Sequence, residues 1–421
     1  MLVDTEYRDT KTTIFGHEVA APIGIAPIGI NTIYHPTAEA AAAKVAGELN
    51  IPYSLSTAGS RSFEEVARAN EAGYKDSYGA KAVAEAAAEA TTSTGGSGGK
   101  GASGRHDSVG IGSGEGKEGI KEAKKLESPR FYQLYMPHDD ELTESLLLRA
   151  HKSGFSAILL TVDTPQLGWR HDDIATSNYA FYRGIGAGLG LTDPVFRKRC
   201  IADPNVPNEE LNTGADDNIA QHPIHASAKW IDNIWHGRAW GWEKVIWVRD
   251  LWKSISGGKP FVIKGIQSVH DAKKCVELGI DGIVVSNHAG RQVDGAIASL
   301  DALENIVNGL VDTWGKGVLD KFTVMFDSGV RGAADVVKAL ALGARFVFVG
   351  RLYVWGMSIM GETGVRHVLR ALLADLDILM AVAGLNSVDE IDRSLLGMYL
   401  PPPPSFSAFQ MLCSWLTDFY I

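Results

Sequence analysis

The sequence predicts an α/β fold, a (β/α)8 TIM barrel, because eight short apolar runs alternate for the most part with helical patterns. Runs rich in Val, Ile and Leu are typical of parallel strands that are buried on both faces. A chain of 421 residues with 45% hydrophobic residues can fill one large barrel with insertions. A doubly wound sheet is the alternative with the same alternation. The eight runs are PIGIAP (22–27), YSLS (53–56), FYQLY (131–135), AILLTVD (157–163), FVIKG (261–265), GIVVSN (282–287), TVMFDSG (323–329) and FVFVGR (346–351).

Helices are predicted between several of these runs, and one region interrupts the alternation. The clearest helical patterns cover Thr37–Leu49, Glu141–Ser153, Val269–Leu278 and Ala333–Leu342. Residues 91–126 are rich first in Gly and Ser and then in charged residues. This composition predicts a flexible surface insertion that spans about residues 70–128. No strand leads into its glycines, so a linker is favoured over a phosphate loop.

Two further segments lie outside the repeating units. Residues 184–240 join the fourth and fifth predicted strands as a long loop at the catalytic face, and this loop is either a lid or an ordinary docked excursion. The barrel domain is expected to cover 1–398. The segment 399–421 contains four consecutive prolines and an apolar end, and we expect it to pack on a neighbouring surface or another subunit.

Composition and chain ends limit the classes of function. Lys+Arg is 40 and Asp+Glu is 50, so the net charge is −10, and no basic run suggests a nucleic-acid partner. No apolar stretch of about 20 residues predicts a membrane span. The N-terminus lacks a secretory signal and the C-terminal FYI is not a peroxisomal tripeptide, so a cytoplasmic location is expected. Cys200, Cys275 and Cys413 have no metal-ligand spacing, so we expect neither a metal site nor a disulfide framework.

The most informative stretch is SNHAGRQ (286–292), which follows the sixth apolar run. The carboxyl ends of the strands face the active site in a TIM barrel. His288 is a natural base near neutral pH, and Arg291 can bind a carboxylate through two parallel hydrogen bonds. The pair therefore predicts an acid–base centre beside an anion contact.

Candidate residues also follow other predicted strands. Asp163 could orient a His ring, or simply cap a helix. Arg170 is a second possible anion contact, with a solvated surface Arg as the alternative. Lys264 is costly to bury without an anionic partner and could stabilise negative charge on a flavin ring, or form a structural salt bridge. Tyr135 could donate a hydrogen bond to a substrate, although core tyrosines are common.

The last two predicted strands end in glycines and arginines, at Asp327–Gly332 and at Gly350 and Arg351. Loops after strands seven and eight form the usual phosphate site of TIM barrels. Glycine amides with Arg331 and Arg351 suit a phosphate monoester dianion. FMN or a sugar phosphate is favoured over a dinucleotide, since no GxGxxG follows the first strand and no GxxxxGK[ST] occurs.

Together these motifs resemble the family of FMN-dependent 2-hydroxy-acid oxidases and dehydrogenases, which includes glycolate oxidase, lactate oxidase and flavocytochrome b2. The stretches GWRHDD (168–173), TDPVFRK (192–198) and GRQVDGAIASLDAL (290–303) are most similar to the lactate 2-monooxygenase branch. The motifs that carry the family resemblance are SNHAGRQVDG (286–295), TVDTPQLGWR (161–170), VIKG (262–265), DSGVRGAADVVKALALGA (327–344) and VGR (349–351).

The resemblance implies a role for each matching residue. His288 would be the catalytic base or the partner in hydride transfer, with Asp163 behind it. Arg291 and Arg170 would hold the substrate carboxylate, and Tyr135 would contact the 2-oxygen. Lys264 would lie at the N1–O2 edge of the flavin. The other residues expected at FMN are Pro27, Ile28, Gly29, Ser56, Gln133, Thr161 and Ser286 around the isoalloxazine and ribityl parts, and Asp327, Gly329, Arg331, Gly350 and Arg351 at the ribityl tail and phosphate.

The resemblance also implies an activity: oxidation of a small L-2-hydroxy acid, above all L-lactate, with oxygen as the acceptor, in a homo-oligomer that would be a tetramer. Ala289 and Ser328 stand where the family usually has Gly, and family members carry, before the position of Met1, a segment with a Tyr that helps to bind the carboxylate. Two alternatives are therefore kept: an FMN-dependent isomerase on the same barrel, and a truncated flavin-binding protein with little activity.

Overall fold

A closed barrel of eight parallel strands forms the centre of the molecule in a computed structural model that describes residues 3–93, 128–212 and 223–397. Each predicted apolar run overlaps one barrel strand, so the predicted TIM barrel is confirmed over the doubly wound alternative. The strands follow one another around the barrel in chain order, and the last pairs with the first. They are β3 (Ile23–Ile25), β4 (Tyr53–Ser56), β5 (Arg130–Leu134), β6 (Ala157–Thr161), β7 (Phe261–Ile266), β8 (Gly282–Val285), β9 (Thr323–Phe326) and β10 (Phe346–Val349).

A short antiparallel hairpin, β1 (Thr12–Ile14) and β2 (His17–Val19), packs against the barrel interior. Its buried Ile14 and Val19 belong to the same apolar cluster as the inward side chains of the barrel strands. Phe15 contacts Phe131 edge to face, with ring centroids 5.8 Å apart. The hairpin therefore covers one end of the barrel core and leaves the carboxyl ends of the strands free for a site.

Helices follow the strands and cover the outside of the barrel, and they include all four helices predicted from the sequence. Side-chain caps fix several starts: the Asp139 carboxylate accepts the Leu142 N–H, and the Ser268 hydroxyl accepts the Asp271 N–H. The helices are α1 (Ala38–Leu49), α2 (Phe63–Ser93), α3 (Asp140–Lys152), α4 (His171–Ala175), α5 (Gly188–Leu191), α6 (Pro194–Ile201), α7 (Ile224–Ile234), α8 (Trp242–Ser256), α9 (Val269–Glu277), α10 (Ser299–Trp314), α11 (Val318–Lys321), α12 (Ala333–Ala341) and α13 (Arg351–Ala383).

Helix α13 is broken at Met360 and Gly361, where φ is −143° and 55°. Within the described ranges, no helix combines the length and the apolar character that crossing a bilayer requires.

The segment predicted as a lid or a docked excursion, 184–240, contains α5, α6 and α7 and packs into the core. Leu189, Phe196 and Trp230 are fully buried. Such burial favours the docked excursion, while the lid remains a prediction. Residues 213–222 of this segment lie outside the described residues.

The predicted insertion and tail are described only in part. The stretch assigned to a flexible insertion at about 70–128 is helical as far as Ser93, where α2 ends. Residues 94–127 and the predicted tail 399–421 lie outside the described residues.

Candidate active site

Two adjoining cavities lie at the carboxyl ends of the barrel strands, and His288 and Arg291 line both. The first cavity has a volume of about 280 Å³ and the second about 120 Å³. Residues predicted from the sequence make up much of both linings. Lys264, Asp327, Gly329, Arg331, Gly350 and Arg351 line the first cavity, Gly29, Ser56, Tyr135 and Arg170 line the second, and Pro27 and Ile28 line both.

His288 follows β8 and meets Asp163, which follows β6, across the mouth of the barrel. Its Nδ1 lies 3.0 Å from Asp163 Oδ1 and 3.2 Å from Thr164 Oγ1. With the proton on Nδ1 donated to the carboxylate, Nε2 is the nitrogen with a free lone pair. Burial and the Lys264 ammonium lower the pKa of His288, while Asp163 acts in the opposite direction. The imidazole is therefore neutral near pH 7 and can accept a proton.

Asp163 is held as a carboxylate by its surroundings. Burial alone would raise the pKa of Asp163, but Lys264 and the hydrogen bonds from His288 and Thr164 lower it to about 2. Gly265 makes room for this carboxylate: its φ is 103°, and a Cβ atom there would lie 2.7 Å from Asp163 Cγ. Sequence reasoning missed Gly265, although its position directly after Lys264 was a signal.

Arg170 and Arg291 bring two guanidinium groups to the second cavity. Arg170 Nη2 donates to Gln292 Oε1 at 3.0 Å, which fixes the side chain. Burial and the nearby Arg291 lower the pKa of Arg170 to about 10, so it remains charged at neutral pH. Two neighbouring cations in a half-buried site favour an anionic ligand such as a carboxylate.

Tyr34 also lines the second cavity, and sequence reasoning missed it. Burial raises the pKa of Tyr34, while the charges of Arg291 and Arg170, which line the same cavity, oppose that rise. The turn that carries it is anchored by the buried Glu39, whose Oε1 accepts the backbone N–H of Asn31 at 3.1 Å. Its place in the loop after the first predicted strand was the available signal. Further aromatic side chains in the lining are Tyr179, Phe181 and Trp235.

Lys264 is buried at the boundary of the first cavity. Its Nζ lies 3.3 Å from Asp327 Oδ2 and donates to Ser286 Oγ at 3.0 Å. Burial alone would lower the pKa of Lys264, but Asp327 and Asp163 raise it above its ordinary value. A charged ammonium is therefore held at a fixed place in the barrel mouth.

Gln133 is a second fixed donor near the cavities. Its Oε1 accepts from Ser56 Oγ at 2.9 Å and from the Thr57 N–H at 3.3 Å, which sets the orientation of the amide. Its buried Nε2 has no hydrogen-bond partner among the residues that the structure describes. Thr161 is less well placed, since it lines a separate cavity of about 50 Å³ and bonds the Leu159 carbonyl.

The far end of the first cavity suits a phosphate. The side chains of Arg331 and Arg351 make no ion pair with another residue in the described ranges. Helix α13 begins after Gly350 with no side-chain cap, so its first amides and positive dipole end face the cavity. These donors fit FMN: its phosphate would lie at this end of the cavity, and the polar edge of its ring would lie near Lys264 and Gln133.

Comparison with known proteins agrees with this fit. The family model described as FMN-dependent dehydrogenase matches residues 1–92 and 79–398. FMN-dependent alpha-hydroxy acid dehydrogenase qulF of Penicillium citrinum is 37% identical over 389 residues, covering 92% of this chain and 77% of the relative. L-lactate oxidase of Lysinibacillus sphaericus is 31% identical over 388 residues, covering 92% and 78%.

Solved structures of mandelate oxidase are also similar to this chain. A mandelate oxidase variant with a monooxide FMN adduct is 26% identical, with a TM-score of 0.59, and the match covers 93% of this chain and 84% of that one. Both the family model and the FMN-dependent relative name the cofactor that the donor set fits. The chain therefore belongs to the FMN-dependent 2-hydroxy-acid oxidoreductase family, as its motifs predicted.

Proposed function

We propose that the protein oxidises a small L-2-hydroxy acid, with L-lactate as the first candidate, to the 2-oxo acid and passes the electrons to oxygen. The observation that carries the proposal is the hydrogen-bonded His288–Asp163 pair beside Arg291 and Arg170 in the second cavity. The second cavity adjoins the one whose donors suit FMN. The name of the L-lactate oxidase relative supports both the substrate and the acceptor.

The residues of the site would have separate roles. Arg291 and Arg170 would hold the substrate carboxylate through paired hydrogen bonds. Tyr135 would donate to the 2-oxygen. His288 Nε2 would take the proton of the 2-hydroxyl or of C2, and the Asp163 carboxylate would stabilise the resulting imidazolium.

FMN, when bound, supplies the acceptor for the two electrons that leave the substrate. Lys264 would hold positive charge at the ring, and the neutral side chains of Gln133 and Ser286 would offer hydrogen bonds beside it. Arg331, Arg351 and the first amides of α13 would hold its phosphate. The balance is one hydroxy acid and one O2 converted to one 2-oxo acid and one H2O2.

A monooxygenase reaction, which the sequence motifs favour, is the alternative to release of the 2-oxo acid and peroxide. If pyruvate and H2O2 react before release, the products are acetate, CO2 and water. Product analysis separates the two: free peroxide with pyruvate supports the oxidase, and acetate with consumed peroxide supports the monooxygenase.

A homotetramer is part of the same proposal. The exposed Trp355, Ile359 and Met360 on α13 support a subunit contact, and sedimentation of the holoprotein tests it.

The test of the function is the visible spectrum of the purified holoprotein before and after anaerobic L-lactate. Bleaching of the flavin bands is expected, and His288→Ala should abolish it. His270→Ala is the matched control, since His270 is exposed on α9. A flavin that stays oxidised with every small 2-hydroxy acid would contradict the proposal. That outcome would support the isomerase or the flavin-binding protein with little activity instead.

A further inference from the structure

Ser328 lies at the centre of a chain of polar contacts that joins the loops after β8 and β9. Its Oγ donates to Asp327 Oδ1 at 2.7 Å and accepts the backbone N–H of Ala289 at 2.9 Å. Asp327 is itself held by the buried Lys264, 3.3 Å away. The hydroxyl therefore connects a fixed carboxylate to the backbone immediately after His288.

The contacts close into a ring. Lys264 Nζ donates to Ser286 Oγ at 3.0 Å, and the same oxygen accepts the backbone N–H of His288 at 3.1 Å. His288 and Ala289 are thus bonded through their amides on two sides, by Ser286 and by Ser328. Of these two hydroxyls, only that of Ser328 reaches the turn from another strand loop.

The turn needs such support because its backbone is left-handed. The φ angles of His288 and Ala289 are 55° and 59°, and that of Ser328 is 86°. L-residues other than glycine adopt this conformation at a cost, and they keep it only when the surrounding contacts hold it. Ser286 and Ser328 accept the amides of the two left-handed residues themselves, and Asn287 Oδ1 accepts the next amide, that of Gly290, at 3.1 Å.

We propose that Ser328 is a positioning residue, whose hydroxyl holds the left-handed His288–Ala289 turn and so keeps the His288 imidazole opposite Asp163. The inference rests on the proposed role of His288 as the base. It predicts that one substitution lowers kcat without lowering the thermal stability. Ser328→Gly relieves the left-handed strain at residue 328 but removes the acceptor of the Ala289 N–H.

The experiment measures kcat of the holoenzyme at saturating FMN and the thermal midpoint of Ser328→Gly and Ser328→Ala. We expect kcat to fall by about 10- to 100-fold, because a small misplacement of a catalytic group slows the reaction by about this factor. The thermal midpoint of Ser328→Gly should be no lower than that of the parent. Asn50→Gly is the matched control: Asn50 is also left-handed (φ 48°) and donates one side-chain hydrogen bond, to the Glu18 carbonyl, away from the site. Ser328→Asn should recover part of kcat, because Asn tolerates this conformation and both donates and accepts.

A second readout does not depend on turnover. The His288 titration is followed by NMR in the apoprotein, with His288→Gln to assign the resonance. The groups that influence it are Asp163, Lys264 and Arg291. Loosening of the turn exposes the ring, so its pKa should rise towards the ordinary value in Ser328→Gly.

Three results would overturn the inference. One is an unchanged kcat and His288 titration in folded Ser328→Gly and Ser328→Ala. Another is a loss of activity that appears only at limiting FMN and is absent at saturating FMN, which would assign Ser328 to cofactor binding. A third is an equal loss in Asn50→Gly. The failure of the proposed function is distinct, since the flavin of the parent protein would then stay oxidised with every small 2-hydroxy acid, or His288→Ala would bleach as the parent does, whatever the Ser328 variants show.

Discussion

Arg170 Nε donates a hydrogen bond to the backbone carbonyl oxygen of Arg291 at 3.2 Å, and this contact ties the loop after β6 to the loop after β8. Gly168 allows the approach, since a Cβ atom there would lie 2.6 Å from the Gln292 carbonyl oxygen and 3.0 Å from that of Arg291. Arg170 is therefore both a cation in the second cavity and a support for the other cation.

Replacement of Arg170 by Lys tests this double role. Lysine keeps the charge but loses the planar fork that reaches the Arg291 carbonyl and Gln292 together. We expect KM for the hydroxy acid to rise about tenfold or more, with the FMN content unchanged. Steady-state kinetics measure it. Arg199→Lys, at a partly exposed ion pair with Asp139, is the control and should leave KM unchanged. Equal KM values for Arg170→Lys and the parent would contradict the prediction.

The pH dependence of kcat/KM should show an acid limb. His288 must be neutral to accept a proton, and burial lowers its pKa below the ordinary 6.5. Activity should therefore be full above that lowered pKa and decrease as the pH falls through it. Asp163 raises the pKa of His288, so Asp163→Asn should move the limb to lower pH.

The plateau rate of Asp163→Asn should also decrease, by about 10²- to 10⁴-fold, because the imidazolium loses its partner. A full pH–rate profile of both proteins checks both effects. A limb that moves to higher pH in Asp163→Asn, or a plateau equal to that of the parent, would exclude this arrangement.

Gly265 should be intolerant of a side chain for a reason specific to the site. Gly265→Ala places a Cβ atom against the Asp163 carboxylate and should displace it from His288, with a loss of kcat of about tenfold or more. Gly279→Ala is the matched control, since Gly279 has φ 68° but open space around it. That control should cost about 1 kcal/mol of stability from backbone strain and leave kcat unchanged. Equal kinetic effects at the two glycines would count against the prediction.

Tyr34 should contribute to carboxylate binding. Tyr34→Phe removes the phenolic hydroxyl that lies near Arg291 and Arg170. A hydrogen bond from this hydroxyl to the ligand carboxylate would be worth about 1.5 kcal/mol or more. The Kd for oxalate, a carboxylate that cannot be oxidised at a 2-hydroxyl, should rise about tenfold in a flavin difference titration. Tyr7→Phe, at an exposed tyrosine, should leave that Kd unchanged. An unchanged Kd in Tyr34→Phe would remove Tyr34 from the site.

The sequence alone determined the barrel and most of the candidate site. Each strand is a local apolar run, and residues directly after a run must emerge at the carboxyl end of the barrel. His288, Asp163 and Lys264 follow three different strands, so the closure of the sheet was enough to predict that they meet. The order of the motifs also pointed to FMN, through the glycines and arginines after the last two strands.

Only the tertiary structure showed which residues of the connecting loops reach the site. Tyr34 and Gly265 were signalled only by their places after predicted strands, and no sequence pattern indicates the contact between Ala289 and Ser328. Their roles depend on distances between atoms in different loops, which are set by the packing of one loop on another. A loop has no repeating periodicity to reveal which side chain points inward, and left-handed backbone at Ala289 and Ser328 is not what their residue types favour. Tertiary contacts across the barrel mouth provide the physical reason that they adopt it.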